Sequence, residues 1–520
     1  MKKMGLAVAI FFGVILLTST VVIALPGLMT PIDDNPDITR TGTPADNYPE
    51  AQRPQYCGTG EAKQTTFVKE YKIPTACTNP LAITTDYDGN VWFAQSNTGN
   101  IAKFDPITES FTEFDNPIWP EGGRTMMWGM DYAPDGSIWY TDDIFNIIWK
   151  FSTIDESYTH LGYSEGEDAL LQKIQVFGSS LILNDFTGGK LVVLTPTEDN
   201  ASMFSIPPIL NGSVASDFAS DAEKNIWFTS WVVEDSGVLV KFGYDRFLEN
   251  PANTTLTMGD IIRIFDLPDD ATTINGVEYH EGGGIWMVDT SSSFFFMFDP
   301  ITNLFTKFVT SDPDPSTYGN ATGVYKSTPT SRPYWIESTD DGRLVFNEHN
   351  ANRIAVFDPY EESLIEYMVP SKNPNWADCL GMEDCGVSQV FGITVDKQKI
   401  WFTEWAENNI GVIDMSNELP FEIMLEQDSV SVTPGDSENI VFVMTARDPQ
   451  VLSELPAILV SSNDSLDIVI GDTESDHGIK TVTATIHADS DAVPGQYKVL
   501  LGASTDEVSI SKFLTVTVRT

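Results

Sequence analysis

Residues 83–95, ITTDYDGNVWFAQ, followed at 100–114 by NIAKFDPITESFTEF, decide the fold of this chain. Both segments alternate apolar and polar residues. Each is broken by a turn pair, Asp88-Gly89 in the first and Asp105-Pro106 in the second. Period-two alternation cut by such turns reads as short antiparallel strands joined by hairpins.

The unit returns along the chain. MDYAPDGSIWYTD at 130–142 is followed by IIWKFSTIDESYTHL, ASDAEKNIWFTS at 219–230 by GVLVKF, and VEYHEGGGIWMVD at 277–289 by FFFMFDPITNLFTKF. IESTDDGRLVFNE at 336–348 is followed by RIAVFDPYEESLIEY, and ITVDKQKIWFTE at 393–404 by NIGVIDM. A degenerate copy, SSLILND with KLVVLTP, falls at 179–197. Four strands recurring every 40 to 50 residues or so mean a β-propeller. The copies number seven, with the longer spacings of units four to six assigned to loops. The last copy has three strands, and TTFVKEYKIP at 65–74 matches the outer strand of the others. That N-terminal segment is expected to complete the last blade and leave no open edge. Trp92, Trp139, Trp227, Trp286 and Trp401 recur inside the second strand and are read as core.

The flanks differ in composition. Lys2 and Lys3 precede an apolar run from Gly5 to Ala24, long enough as a helix to cross a bilayer core of about 30 Å. Residues 1–24 are expected to be an N-terminal hydrophobic helix, either a transmembrane anchor or a signal peptide cleaved after Val22-Ile23-Ala24. Residues 25–65 read as a proline-rich linker. The propeller takes 66–416, and the alternating strands of 417–520 suggest an immunoglobulin-like β-sandwich. The fold expectation is all-β apart from the first helix. The location that follows is the cell membrane with the domains outside, or a secreted form if the signal is cleaved.

Acidic residues outnumber basic ones 75 to 29, a formal charge of −46. That balance excludes nucleic acid and anionic membrane surfaces as partners. Cys57, Cys77, Cys379 and Cys385 are disulfide candidates in an exported chain. The nearest-neighbour set and a Cys77–Cys385 bond are both open. Sequons at Asn200, Asn211, Asn253, Asn320 and Asn463 fit an exported glycoprotein.

The second strands of the units end in Gln95, Asp142, Asp185, Ser230, Asp289, Glu348 and Glu404. Closure of the ring would gather these carboxylates on one face. Either they hold an oxygen-ligated Mg²⁺ or Ca²⁺, or each accepts hydrogen bonds from nearby backbone. His349 follows Glu348 on that face and is a candidate base or ligand. Trp128, Trp231, Trp335 and Trp405 stand near the same strand ends, where aromatics suit a peptide, glycan or envelope-protein ligand. Their alternative is packing between blades. No G-x-S-x-G and no phosphate loop is present.

The segments GITVDKQKIWFTE at 392–404 and NIGVI at 409–413 closely resemble the streptogramin (virginiamycin B) lyase family, a likeness that spans roughly 66–416. The resemblance implies a seven-bladed propeller and a Mg²⁺-dependent elimination that opens cyclic depsipeptides. It also implies catalytic histidines at the second position of P-H-[GA]-I in the last two blades, and metal-binding glutamates nearby. Glu404 matches one glutamate. Gln389 stands for the other, and Tyr334 and Phe391 stand for the histidines. Elimination needs a base, which phenylalanine lacks and which a phenol of pKa about 10 supplies poorly. With Trp128, Trp231, Trp335 and Trp405, Tyr334 and Phe391 become ligand-contact candidates. Three functions stand open: a non-catalytic recognition module of the cell envelope, a carbon–oxygen lyase rearranged around Glu348, His349 and Glu404, and a structural envelope component.

Overall fold

The computed structural model describes residues 57–519 apart from 59, 121, 122, 124, 164–168, 198–200, 233, 234, 236, 250–257, 320–329, 378, 380, 381 and 454. The expected helix at 1–24, most of the linker and the sequons Asn200, Asn253 and Asn320 lie outside these residues. Among the described residues no helix is long and apolar enough to cross a membrane.

The repeats fold as seven antiparallel four-stranded units. In each, strands A to D run outwards from the axis. The A strands are Pro80–Thr85, Met130–Tyr132, Leu171–Phe177, Val214–Ser220, Ile274–Tyr279, Pro333–Ser338 and Val390–Asp396. The degenerate copy is a full third blade, Leu171–Phe177, Ser180–Asp185, Lys190–Pro196 and Ala201–Ile206. The tryptophans at the centre of strand B are buried between blades, as their apolar neighbours require. In the seventh blade the outer strand is Val68–Lys72, which pairs antiparallel with Asn409–Asp414, Glu70 opposite Gly411.

Six A strands carry a register shift near their start, between Val390 and Ile393 in the last blade and at matching places elsewhere. A bulge bends the strand and re-aims its side chains. The A strands also crowd the axis: a Cβ on Gly392 would meet the Leu81 carbonyl at 2.1 Å, and one on Gly129 the Gln172 carbonyl at 2.2 Å. Only glycine admits that approach.

Beyond Asp414 the chain builds two further sheets. One orders Glu422–Leu425, Ser437–Thr445, Ile479–Ala488 and Leu466–Asp476. The other orders Val508–Val518, Gly495–Ser504 and Ala457–Ser461, with Ser429–Val432 parallel to Val508–Val518. Their inner residues, among them Phe442, Ile486, Leu501 and Val516, share one buried cluster. The second sheet is not separate from the propeller. Val508–Val518 pairs with the outer strand of the sixth blade, Ser363–Met368, with Ile365 opposite Ile510. The disulfides are Cys57–Cys77 and Cys379–Cys385, so the nearest-neighbour pairing is the one observed.

Candidate functional site

The ends of strands A and B on the face of interest are built from large apolar side chains, and these fill the axis. Tyr334 and Phe391 are the second residues of their A strands, and Trp128 stands just before the A strand of the second blade. Trp128 stacks on Tyr334 at 6.2 Å and meets Phe391 edge-on at 5.7 Å, and Tyr334 meets Phe391 at 6.0 Å. Trp405 packs on Phe391 at 6.4 Å and on Trp376 at 5.2 Å. Trp231 donates its indole N–H to the Ile274 carbonyl at 2.8 Å. None of Trp128, Trp231, Tyr334, Trp335, Phe391 and Trp405 is more than 9% exposed. The expectation of an accessible aromatic face is corrected on this point. These rings meet where the blades converge, and burying them against one another removes more apolar surface from water than display would allow.

Tyr334 is held as a neutral phenol. Burial drives its pKa far above the ordinary value, and its hydroxyl accepts from Gln172 Nε2 at 3.5 Å. Neither Phe391 nor Tyr334 can take a proton from a substrate in this setting. His349 is also buried. Its ring lies 4.5 Å from that of Phe391, with Nδ1 3.5 Å from the Val390 carbonyl, and its backbone N–H donates to Arg332. It therefore backs the plug, 1% exposed.

The strand-end carboxylates turn into their own blades. Asp142 accepts from the backbone N–H of Ile144 and Phe145, from Thr125 and from the Trp149 indole. Asp185 accepts from Leu170 and Gly188 N–H and from the Tyr163 hydroxyl. Asp289 accepts from Thr272, Thr273 and Ser291 N–H. Burial raises the pKa of Asp142 and Asp289 in spite of these bonds. Glu348 is ion-paired with Arg353 at 2.9 Å, and burial still pushes it up to about 7. Glu404 accepts from Asn409 Nδ2 at 3.0 Å. Burial first, and then the neighbouring Glu70 carboxyl, raise its pKa well above the usual range. Among the described residues no three His, Cys, Asp or Glu side chains are placed to hold a metal ion. Of the two alternatives for Asp142, Asp185, Asp289, Glu348 and Glu404, a shared metal site is not formed among the described residues, and each carboxyl group instead takes local partners within its own blade.

One group of charged residues was not singled out by the sequence reading. Below the aromatic plug the axis holds Asp131, Lys173, Asp217, Glu278 and Glu337, all from A strands. Lys173 Nζ lies 2.8 Å from Asp217 Oδ1. Asp131 accepts from Val176 N–H at 2.6 Å and Glu278 from Ser338 Oγ at 2.8 Å. Burial pushes Asp131 and Asp217 up to about 6, Glu278 to about 7 and Glu337 to about 8. The signal was present: Asp131, Glu278 and Glu337 fall at one matched position of the innermost strand, where other copies carry Thr84, Ala219 and Thr394, and Lys173 and Asp217 add charges to two more of these strands.

Virginiamycin B lyase from Staphylococcus aureus shares 18% identity and a TM-score of 0.50, with 68% of this chain and 99% of that one covered. A catalytically inactive histidine-to-alanine variant of that enzyme with Quinupristin shares 18% identity and a TM-score of 0.51 over 68% and 99%. A streptogramin B lyase structure shares 19% identity and a TM-score of 0.50 over 66% of this chain and 96% of that chain. No family model and no curated protein sequence matches. At such identities the likeness shows the β-propeller fold of those enzymes and nothing of their chemistry.

Proposed function

We propose that this chain is a non-catalytic recognition protein of the cell envelope, tethered by its N-terminal apolar segment and displayed outside the membrane. One observation carries the reading: the two positions that the family resemblance assigns to catalytic histidines hold Phe391 and Tyr334, both sealed in a buried aromatic plug. Two disulfides and the apolar run of residues 5–24 support an exported, anchored chain. The paired C-terminal sheets, which we read as an immunoglobulin-like sandwich, support display. A peptide, glycan or envelope protein is the class of ligand such a module takes.

The runner-up is a Mg²⁺-dependent carbon–oxygen lyase that uses His349 with Glu348 and Glu404. Its support is that His349 lies against Phe391, beside the place where the resemblance puts a base. Against it, Glu348 is already bound to Arg353 and Glu404 is held neutral. The two are separated by incubating the protein with a streptogramin B-type depsipeptide in Mg²⁺ or EDTA and following ring opening by mass spectrometry. The expected result is no opening in either. Mg²⁺-dependent opening that is lost in Glu404→Ala and His349→Ala would overturn the recognition reading.

A further inference from the structure

The axial channel differs at its two ends. One end is closed by Trp128, Tyr334 and Phe391, none more than 4% exposed. The other runs towards the A–B turns and is lined by the group of Asp131, Lys173, Asp217, Glu278 and Glu337. Within it lies a cavity of about 70 Å³ bordered by Gln172, Lys173, Asp217, Glu337, Trp128 and Trp335, among others. That is room for several water-sized groups. The carboxyl groups of Asp217 and Glu337 border it together with the Lys173 ammonium, and Asp131 and Glu278 belong to neighbouring A strands. Two buried oxygens that border the cavity, Asp217 Oδ2 and Gln172 Oε1, accept no hydrogen bond, although their residues are only 1% and 0% exposed. Both are acceptors. The complement of an acidic blind channel with idle acceptors is a cation that carries N–H donors.

The geometry points to a binding site for a primary ammonium group on a narrow stem, as on a lysine side chain, entering from the turn face and ending against Asp217, Gln172 and Trp335. A bare metal ion fits less well, since no three described carboxylates converge on one point. An ammonium spreads three donors over separated acceptors and gains from the face of an indole. The surroundings favour a polypeptide as the source. The same face carries exposed apolar turn residues, Tyr87 in an A–B turn near the axis and Ile107, Ile154, Ile301 and Tyr360 in the outer C–D turns, each at least 70% exposed. Apolar tips across the face on which a charged pocket opens suit a partner that inserts one side chain and rests its backbone on the blades. Lys173 is the resident competitor, with Nζ 2.8 Å from Asp217 Oδ1, the oxygen that also accepts from the Phe218 N–H.

This inference rests on the recognition reading and deepens it, and the two fail separately. Ring opening of the depsipeptide would overturn that reading. The present one is tested with the full chain at pH 8 and fixed ionic strength, by calorimetry and saturation-transfer NMR. The probes are n-butylamine, tetramethylammonium, Ca²⁺ and an acetylated Gly-Lys-Gly amide. Butylammonium is expected to bind one to one and tetramethylammonium not at all, for want of N–H donors. The peptide binds more tightly than butylammonium if the source is a polypeptide, and equally if it is a free amine.

Asp217→Asn and Glu337→Gln are expected to weaken binding about tenfold or more, as the loss of a charge-assisted hydrogen bond does. Lys173→Met is expected to tighten it by vacating Asp217. The opposite signs guard against a folding defect, which weakens all three variants alike. Equal response to tetramethylammonium, binding of Ca²⁺ alone, no binding of any probe, or variants that leave affinity unchanged would each overturn the site. The result with no probe bound would mean that the channel holds water only.

Discussion

The sixth and seventh blades place a pair of carboxyl groups at the same spot and treat it differently. In the sixth, Glu348 ends strand B opposite Arg353, and Glu366 lies on strand D opposite Ala355. In the seventh, Glu404 ends strand B opposite Asn409, and Glu70 lies on strand D opposite Gly411. Each strand-D glutamate accepts from the N–H and hydroxyl of one serine, Ser311 for Glu366 and Ser371 for Glu70. The difference is the residue that opens strand C. Arg353 bridges Glu348 and Glu366 at 2.9 and 3.2 Å and also donates to Ser311. Asn409 offers an amide and no charge, so the two acids of the seventh blade meet without a cation. Burial and the neighbouring Glu70 carboxyl both raise the pKa of Glu404 well above the usual range and so favour its neutral form. The same strand-end glutamate is thus a charged partner in one blade and a neutral acid in the next. A residue five positions further along decides which.

The largest effect is expected from removing the cation of the sixth blade. Arg353→Met leaves Glu348 and Glu366 buried with no counter-charge, a change that costs about 3–5 kcal/mol in comparable cases. Denaturant unfolding at pH 8 measures it. A loss under about 1 kcal/mol would mean that the sixth blade tolerates a shared proton as the seventh does, and the contrast would collapse.

A smaller effect of opposite sign is expected in the seventh blade. Glu404→Gln keeps the shape of the neutral acid and removes its titration. Because the folded pKa of Glu404 lies above the unfolded value, the folded chain binds the extra proton. Stability therefore falls as pH rises from the unfolded pKa of about 4.5 towards the folded one. The variant is expected to match the parent at pH 4 and to exceed it by roughly 1–2 kcal/mol at pH 8. Unfolding midpoints at the two pH values check it. A variant less stable at pH 8 would show that Glu404 folds ionised.

Much of this architecture is legible from residues. The alternation, the Asp-Gly turns and the copies of IWFTE mark the blades because a blade is a local object of four adjacent strands. Segment 65–74 could be assigned because it copies an outer strand. What stays hidden depends on distant or sideways contacts. Ser363–Met368 and Val508–Val518 look like ordinary strands, and nothing local tells that one continues the sheet of the other across the chain. The strand-end carboxylates were placed at the correct ends, but their partners come from neighbouring strands, so side-chain direction could not be read. Trp231 and Trp405 read as face residues because they stand at the ends of strands, and Phe391 because the family resemblance puts a histidine there. Only the convergence of the blades buries them. Asp131, Glu278 and Glu337 carry no local mark, since each is a single charged residue in an otherwise ordinary strand.

The first blade supplies the finest test of the comparison. There Gln95 ends strand B opposite Asn100, and Glu113 lies on strand D opposite Ala102. Gln95 Nε2 donates to Glu113, so the amide does the work that a proton does in the seventh blade. Gln95→Glu would rebuild the seventh-blade pair at a site where Glu113 is only half-buried. Water screens that carboxylate, so the repulsion is weaker than between Glu70 and Glu404. The expected cost is about 0.5–1 kcal/mol at pH 8 and close to nothing at pH 4, since the new acid is protonated in both states near its unfolded pKa. A cost as large as that of Arg353→Met would show that solvent does not reach the outer strand of the first blade. No cost at all would mean that Glu113 swings outward and abandons the pair, leaving the seventh blade alone in holding two buried acids without a cation.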